Sequence, residues 1–150
     1  MKAAVFEETG KPIQLYDNVD IIDPRAGEVR VKVKYCSVCH SDLSVIDGSL
    51  PAFGPTILGH EASGIIENVG AGVTSLTKGD HVVLTPVPPC GTCYFCVRGE
   101  ATLCANNTSL YTYALADGNT GLSRNGEVIY RGLGVGAFAE YVVTPVNGAV

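Results

Sequence analysis

The run Glu28-Val29-Arg30-Val31-Lys32-Val33-Lys34-Tyr35 alternates charged and apolar residues without a break. A strand turns successive side chains to opposite faces. Val29, Val31, Val33 and Tyr35 are therefore expected on one buried face, with Glu28, Arg30, Lys32 and Lys34 on a wet one. Shorter β-rich runs follow at Gly64-Ile65-Ile66-Glu67-Asn68-Val69, at His81-Val82-Val83-Leu84 and from Phe138 to Val143, with Ala71-Gly72 and Gly79-Asp80 as turns. Leu122-Ser123-Arg124 and Glu127-Val128-Ile129-Tyr130 flank Asn125-Gly126, a dipeptide suited to the two positive φ values of a type I′ hairpin turn. Only Ser41 to Asp47 reads as helix, with Ser41 as N-cap and Gly48 as stop. The expected fold class is mainly β and mostly antiparallel, a barrel or sandwich with few short helices.

The composition agrees. Of 150 residues 46% are hydrophobic and 17% charged, so the chain can bury one core and is not disordered. Eighteen Gly and eight Pro mark many turns and argue against long helices. A net charge of −5 with no run of Lys or Arg lacks the footprint of a nucleic-acid binder. No stretch approaches the ~20 apolar residues of a membrane span. The apolar part of Met1 to Glu8 is too short for a signal-peptide core, so a cytoplasmic location is expected. In that reducing compartment, six closely spaced cysteines favour metal over disulfides.

Cys90, Cys93, Cys96 and Cys104 stand at C-x2-C-x2-C-x7-C among small and turn residues. Thiolates three positions apart can grip one ion from a tight turn, and four make the closed tetrahedral set of a structural zinc. Iron in place of zinc, or oxidised pairs, would use the same residues. Gly91 and Gly99 are placed to turn backbone N–H groups toward the sulfurs, and Arg98 to offset their charge. A closed shell leaves no position for chemistry, so this lobe, about residues 88–106, is a staple for a loop with little core of its own.

Two further clusters are Cys39-His40-Ser41-Asp42, after the strongest strand, and Gly59-His60-Glu61, which leads into the strand near Gly64. One thiolate and one imidazole at the ends of neighbouring strands supply two of the three protein ligands of a catalytic zinc. Taken singly, Cys39 could be a small buried thiol and His60 a hydrogen-bonded structural residue.

Together with Val69-Gly70 through Lys78-Gly79-Asp80 and Phe138-Ala139-Glu140-Tyr141, these clusters resemble the zinc-dependent medium-chain alcohol dehydrogenases over essentially the whole chain. The resemblance implies a GroES-like catalytic domain over residues 1–150, a partly open β-barrel. It implies Cys39 and His60 as ligands of a catalytic zinc and the four-cysteine lobe as the structural one. Glu61 would stand beside the catalytic ion, Asp42 would orient His60, and Leu50 would line the substrate pocket. His40 would face a cofactor pyrophosphate, with a solvated histidine as its plain alternative. The segment from Ala116 to Arg131 looks like the extended loop of the larger subgroup.

The implied reaction is oxidation of an alcohol to an aldehyde or ketone with NAD or NADP. A zinc-bound alcohol ionises near neutrality, and the alkoxide expels hydride to the nicotinamide. Ser41 can accept the proton and donate its own, as the first station of a relay, or cap the short helix. Ser44 stands where many relatives carry a histidine that ends that relay. His81 is expected on a strand face without chemistry, and Cys36 as a buried structural thiol.

The third catalytic ligand of relatives has no counterpart in these residues, so the structural metal is expected to be held firmly and the catalytic ion weakly. Gly132-Leu133-Gly134-Val135-Gly136-Ala137 fits G-x-G-x-x-G/A, yet strand-like residues follow it where a helix is required. Val69-Gly70-Ala71-Gly72 is a second false lead. A nucleotide-binding domain is therefore expected to be absent from this chain and to be its partner in the parent protein. Without it, little turnover is expected. The parent is expected to act on a small alcohol or carbonyl compound and to form homo-oligomers. The rival readings are a zinc-stabilised GroES-like binding or assembly module without catalysis, and a rubredoxin-like iron carrier.

Overall fold

A computed structural model describes all 150 residues. In chain order the elements are β1 (Ala3–Phe6), β2 (Gln14–Tyr16), β3 (Asp20–Ile21), β4 (Glu28–Ser37), α1 (His40–Ile46), β5 (Thr56–Ile57), β6 (Glu61–Val69) and β7 (His81–Val83). After these come α2 (Tyr94–Val97), α3 (Ser109–Thr112), β8 (Leu122–Arg124), β9 (Glu127–Val128), β10 (Tyr130–Arg131) and β11 (Tyr141–Pro145). Three sheets form, in the orders β10-β5-β1-β2, β11-β4-β6-β7 and β3-β8-β9. All pairs are antiparallel except β10 with β5. The mainly β architecture with few short helices is the one expected.

The central sheet carries the largest core. Val29 and Val31 from β4, Ala62 and Ile66 from β6, and Val142 from β11 are buried together. Gly64 is where β4 and β6 approach most closely: a Cβ there would lie 2.4 Å from the Lys32 carbonyl oxygen. A second cluster joins Val5, Val19, Ile57 and Ile129, and a third sets Val45 of α1 on Phe6 and Leu58. The third cluster fixes α1 on the barrel.

The alternation of β4 holds for Val29, Val31 and Val33, then fails. The pairing with β6 slips between Val33 and Tyr35, so Lys34 is an extra residue and Tyr35 is 79% exposed. A bulge of this kind re-aims the side chains beyond it. Here it turns Cys36 inward against the core in place of Tyr35. Glu28 departs at the other end: it is buried, with Arg25 Nη2 at 2.7 Å from its Oε1. The hairpin is as expected, with φ of 53° at Asn125 and 85° at Gly126. The glycine motif at Gly132 opens a 3-10 turn and then β11, not a helix.

Arg131 sits in the core with 2% exposure, and its Nε and Nη2 have no acceptor in the protein. Burial pushes the guanidinium down to about 10, which leaves it charged at neutral pH. The Glu28 carboxylate that attracts it is already held by Arg25. An uncompensated buried charge costs several kcal/mol. Arg131→Met, which keeps the aliphatic length, should therefore raise stability by roughly 1–4 kcal/mol. A urea midpoint below that of the parent chain would refute this account of Arg131.

Candidate metal centres and adjoining cleft

In the four-cysteine lobe, α2 starts at Cys93 as its N-cap, so a tight turn presents Cys90 and Cys93 side by side. The Cys90 Sγ receives the backbone N–H groups of Thr92 (3.5 Å) and Cys93 (3.3 Å) and the Asn106 Nδ2 (3.4 Å). The Cys104 Sγ receives the Cys90 N–H at 3.3 Å. The backbone N–H groups and Thr92 hydroxyl lower the Cys90 thiol to about 5, while burial pushes Cys96 up to about 11.

The Sγ atoms of Cys90 and Cys96, and of Cys93 and Cys104, are 4.0 Å apart, and all four lie within 4.8 Å of one another. A tetrahedron with metal–sulfur bonds of about 2.3 Å has edges of about 3.8 Å, so the set fits zinc. No cysteine is in a disulfide. Gly91 turns its N–H toward Cys96 as expected. Gly99 instead donates to the Cys96 carbonyl, and Arg98 faces Glu100 and the Tyr94 ring. Neither faces the sulfurs, because Arg98 is the C-cap of α2 and Gly99, at φ +82°, turns the chain out of the helix. Asn106 was not legible as a sulfur donor, since nothing but the loop's return brings it to Cys90.

The second centre follows from strand register. Ser37 of β4 pairs with Glu61 of β6, so the chain leaves the sheet toward Cys39 where it enters it from His60. The Cys39, His60 and Glu61 ligand atoms lie within 4.8 Å of one another, a thiolate–imidazole–carboxylate set that suits zinc. Asp42 ties this centre together. It is fully buried, accepting the Cys39 N–H at 3.0 Å and the Gly59 N–H at 2.9 Å, with His60 Nδ1 at 3.4 Å from its Oδ1. Burial alone would raise the Asp42 carboxyl, but the imidazole and the two N–H groups outweigh it and hold the group below the ordinary carboxylate range. Asp42 in turn raises His60 against the effect of burial. The Ser41 hydroxyl and N–H, with His60, lower the Cys39 thiol. Gly59 is required here: φ is +86°, and a Cβ would meet the Phe138 ring at 2.5 Å.

The N-cap of α1 is Cys39, not Ser41, because Asp42 takes the cap N–H from inside the helix. Ser41 is released for another contact, and its Oγ lies 3.2 Å from His60 Nε2. His40 is exposed, and the Ser44 hydroxyl donates to its carbonyl at 3.2 Å and lies 3.4 Å from its Nδ1. His81 is exposed on β7. Cys36 stands outside both clusters, its thiol pushed up to about 11 by burial.

Ser41 and His60 form one end of a cleft of about 410 Å³, which Leu50 lines together with Phe53, Leu110, Tyr113 and Leu133. The last four were not singled out in the sequence. They come from loops or loop-flanked short elements, where no hydrophobic period marks an inward face.

Residues 25–150 match the family described as the alcohol dehydrogenase GroES-like domain. The S-(hydroxymethyl)glutathione dehydrogenase of Synechocystis is 40% identical over 144 residues, covering 95% of this chain and 39% of the relative. Among solved structures, an alcohol dehydrogenase zinc-binding domain protein from Burkholderia ambifaria superposes with a TM-score of 0.91 at 38% identity, over 99% of this chain and 40% of that one. The benzyl alcohol dehydrogenase of Acinetobacter calcoaceticus gives 0.88 at 36% identity, again over 99% and 40%. The chain thus spans about two-fifths of the length of the relatives it matches. A match over so much of the chain, on a fold that brings Cys39 to His60, settles its membership: it belongs to the zinc-dependent medium-chain alcohol dehydrogenases, in their GroES-like domain.

Proposed function

We propose that residues 1–150 are the catalytic domain of an NAD- or NADP-dependent alcohol dehydrogenase, with the lobe near 88–106 as a structural zinc staple. The observation that carries this reading is the convergence of Cys39, His60 and Glu61 within 4.8 Å at the end of an apolar cleft. Zinc bound there would supply the positive charge that acidifies a substrate hydroxyl. Asp42 holds the imidazole so that Nδ1 faces a carboxylate and Nε2 faces the metal side, which fixes the tautomer. Ser41 Oγ receives the hydroxyl proton of the alcohol and releases its own. Ser44 offers no titratable ring to carry that proton further, so it leaves to water or a cofactor ribose. A nicotinamide cofactor, when bound, would supply the hydride acceptor, so that alcohol and NAD(P)⁺ would give carbonyl compound, NAD(P)H and one proton. Exposed His40, one residue from Cys39, is our choice for contact with the cofactor pyrophosphate. The nicotinamide site belongs to a separate nucleotide-binding domain of the parent protein, since these residues form no βαβ unit.

Three measurements test the proposal. Zinc titration of the chain should count one tight equivalent, at the four cysteines, and one weak one; two tight equivalents would contradict a weakly held second ion. Asp42→Asn should weaken the second site by about 10–100-fold and leave the first unchanged, as read by competition with a chelating dye. Alcohol-dependent NADH or NADPH formation should be negligible for the 150-residue chain and appear on mixing with a separately made cofactor domain. Activity of the chain alone would refute the division of labour.

A further inference from the structure

The cleft beside Ser41 and His60 has a chemical character that narrows the substrate. No Lys, Arg, Asp or Glu lines it. An ionic group entering would lose water without gaining a partner, at a cost of several kcal/mol. Apart from Ser41 and His60 its lining sets the rings of Phe53, Tyr111 and Tyr113 beside three leucines and two prolines. Phe53 and Tyr113 meet edge to face, with ring centroids 5.4 Å apart at 83°. Phe53 remains 51% exposed, so much of its ring is open to a ligand.

The backbone is strained to build these walls. Of the three non-glycine residues with positive φ, two line the cleft: Tyr113 at 53° and Leu133 at 52°. A bulky side chain in this region is strained and persists only where its surroundings impose it. Hydrogen bonds do so at Tyr113, whose N–H reaches the Ser109 carbonyl at 3.0 Å while its own carbonyl accepts the Arg131 N–H at 2.8 Å. Size is consistent as well. An apolar cavity of about 150 Å³ already takes benzene, so about 410 Å³ admits a substituted ring and a carbinol arm.

We infer that the substrate of this site is an uncharged alcohol bearing an aromatic ring on or next to its carbinol carbon, with Phe53 and Tyr113 as the residues that select the ring. This rests on the dehydrogenase reading above. It sets the chain apart from a specificity for the doubly carboxylated glutathione adduct named for one of its relatives.

The test titrates the zinc-loaded chain with benzyl alcohol, 1-hexanol and the adduct of glutathione with formaldehyde. The readout is the NMR shifts of the Leu50, Leu110 and Leu133 methyls and the Tyr113 ring. Benzyl alcohol should saturate these shifts at a concentration roughly two- to tenfold below 1-hexanol, as expected for one added aromatic contact. The adduct should leave them unmoved. Phe53→Ala should remove most of the preference, and Tyr113→Leu should do the same, with the four-cysteine lobe signals unchanged in both. Equal affinity for the two alcohols, or tighter binding of the adduct, would overturn the aromatic assignment and leave the dehydrogenase reading standing. A cleft that responds to neither alcohol would overturn both.

Discussion

The fully buried carboxylate of Asp42 is the contact on which the arrangement depends. It collects N–H groups from Cys39 and Gly59 and faces the ring of His60, three residues on two segments joined by a 12-residue-wide excursion of loop and short strand between 47 and 58. A buried anion left without these partners would be costly, so the carboxylate holds the segments in one relation. Gly59 is part of the same constraint, since its positive φ turns the N–H toward Asp42 while the Phe138 ring fills the space of a side chain. Positioning of the thiol and imidazole is thus a property of a buried carboxylate–imidazole contact and two backbone donors, not of the metal alone.

The four-cysteine lobe obeys a different logic. Within residues 88–106 only Cys104 is buried, so the segment has almost no apolar core to hold it. Its order comes from sulfur. Backbone donors gathered on Cys90 favour a thiolate there, while burial disfavours one at Cys96. A cation that neutralises all four thiols together removes that opposition, which is why a closed metal site suits a loop of this kind.

Legibility in the sequence divided along the same physical lines. Spacing within one turn is a local property, and so the cysteine lobe and the Asn125-Gly126 hairpin could be read directly. Strand periodicity located β4, β6 and β11, whose pairing brings Cys39 to His60. The side-chain alternation was lost at Tyr35 because a bulge is a property of the pair of strands, invisible in either one. Ser41 resembled a cap by residue type, but the helix begins two residues earlier, where Asp42 reaches back to the Cys39 N–H. The roles of Glu61, Asp42 and His40 could be placed only through family likeness. Phe53, Tyr113 and Leu133 had no signal at all, since strained loop conformations follow from distant packing and not from local preference.

The cleft is built from two separately held parts. Its reactive end is anchored by strand register and a buried carboxylate, while its walls hang from the loop at 50–53, the short α3 with Tyr113 after it, and the turn at Leu133. Insertions or exchanges in those segments can reshape what fits without disturbing the anchor. Such a division lets a lineage change its diet while its chemistry is inherited intact.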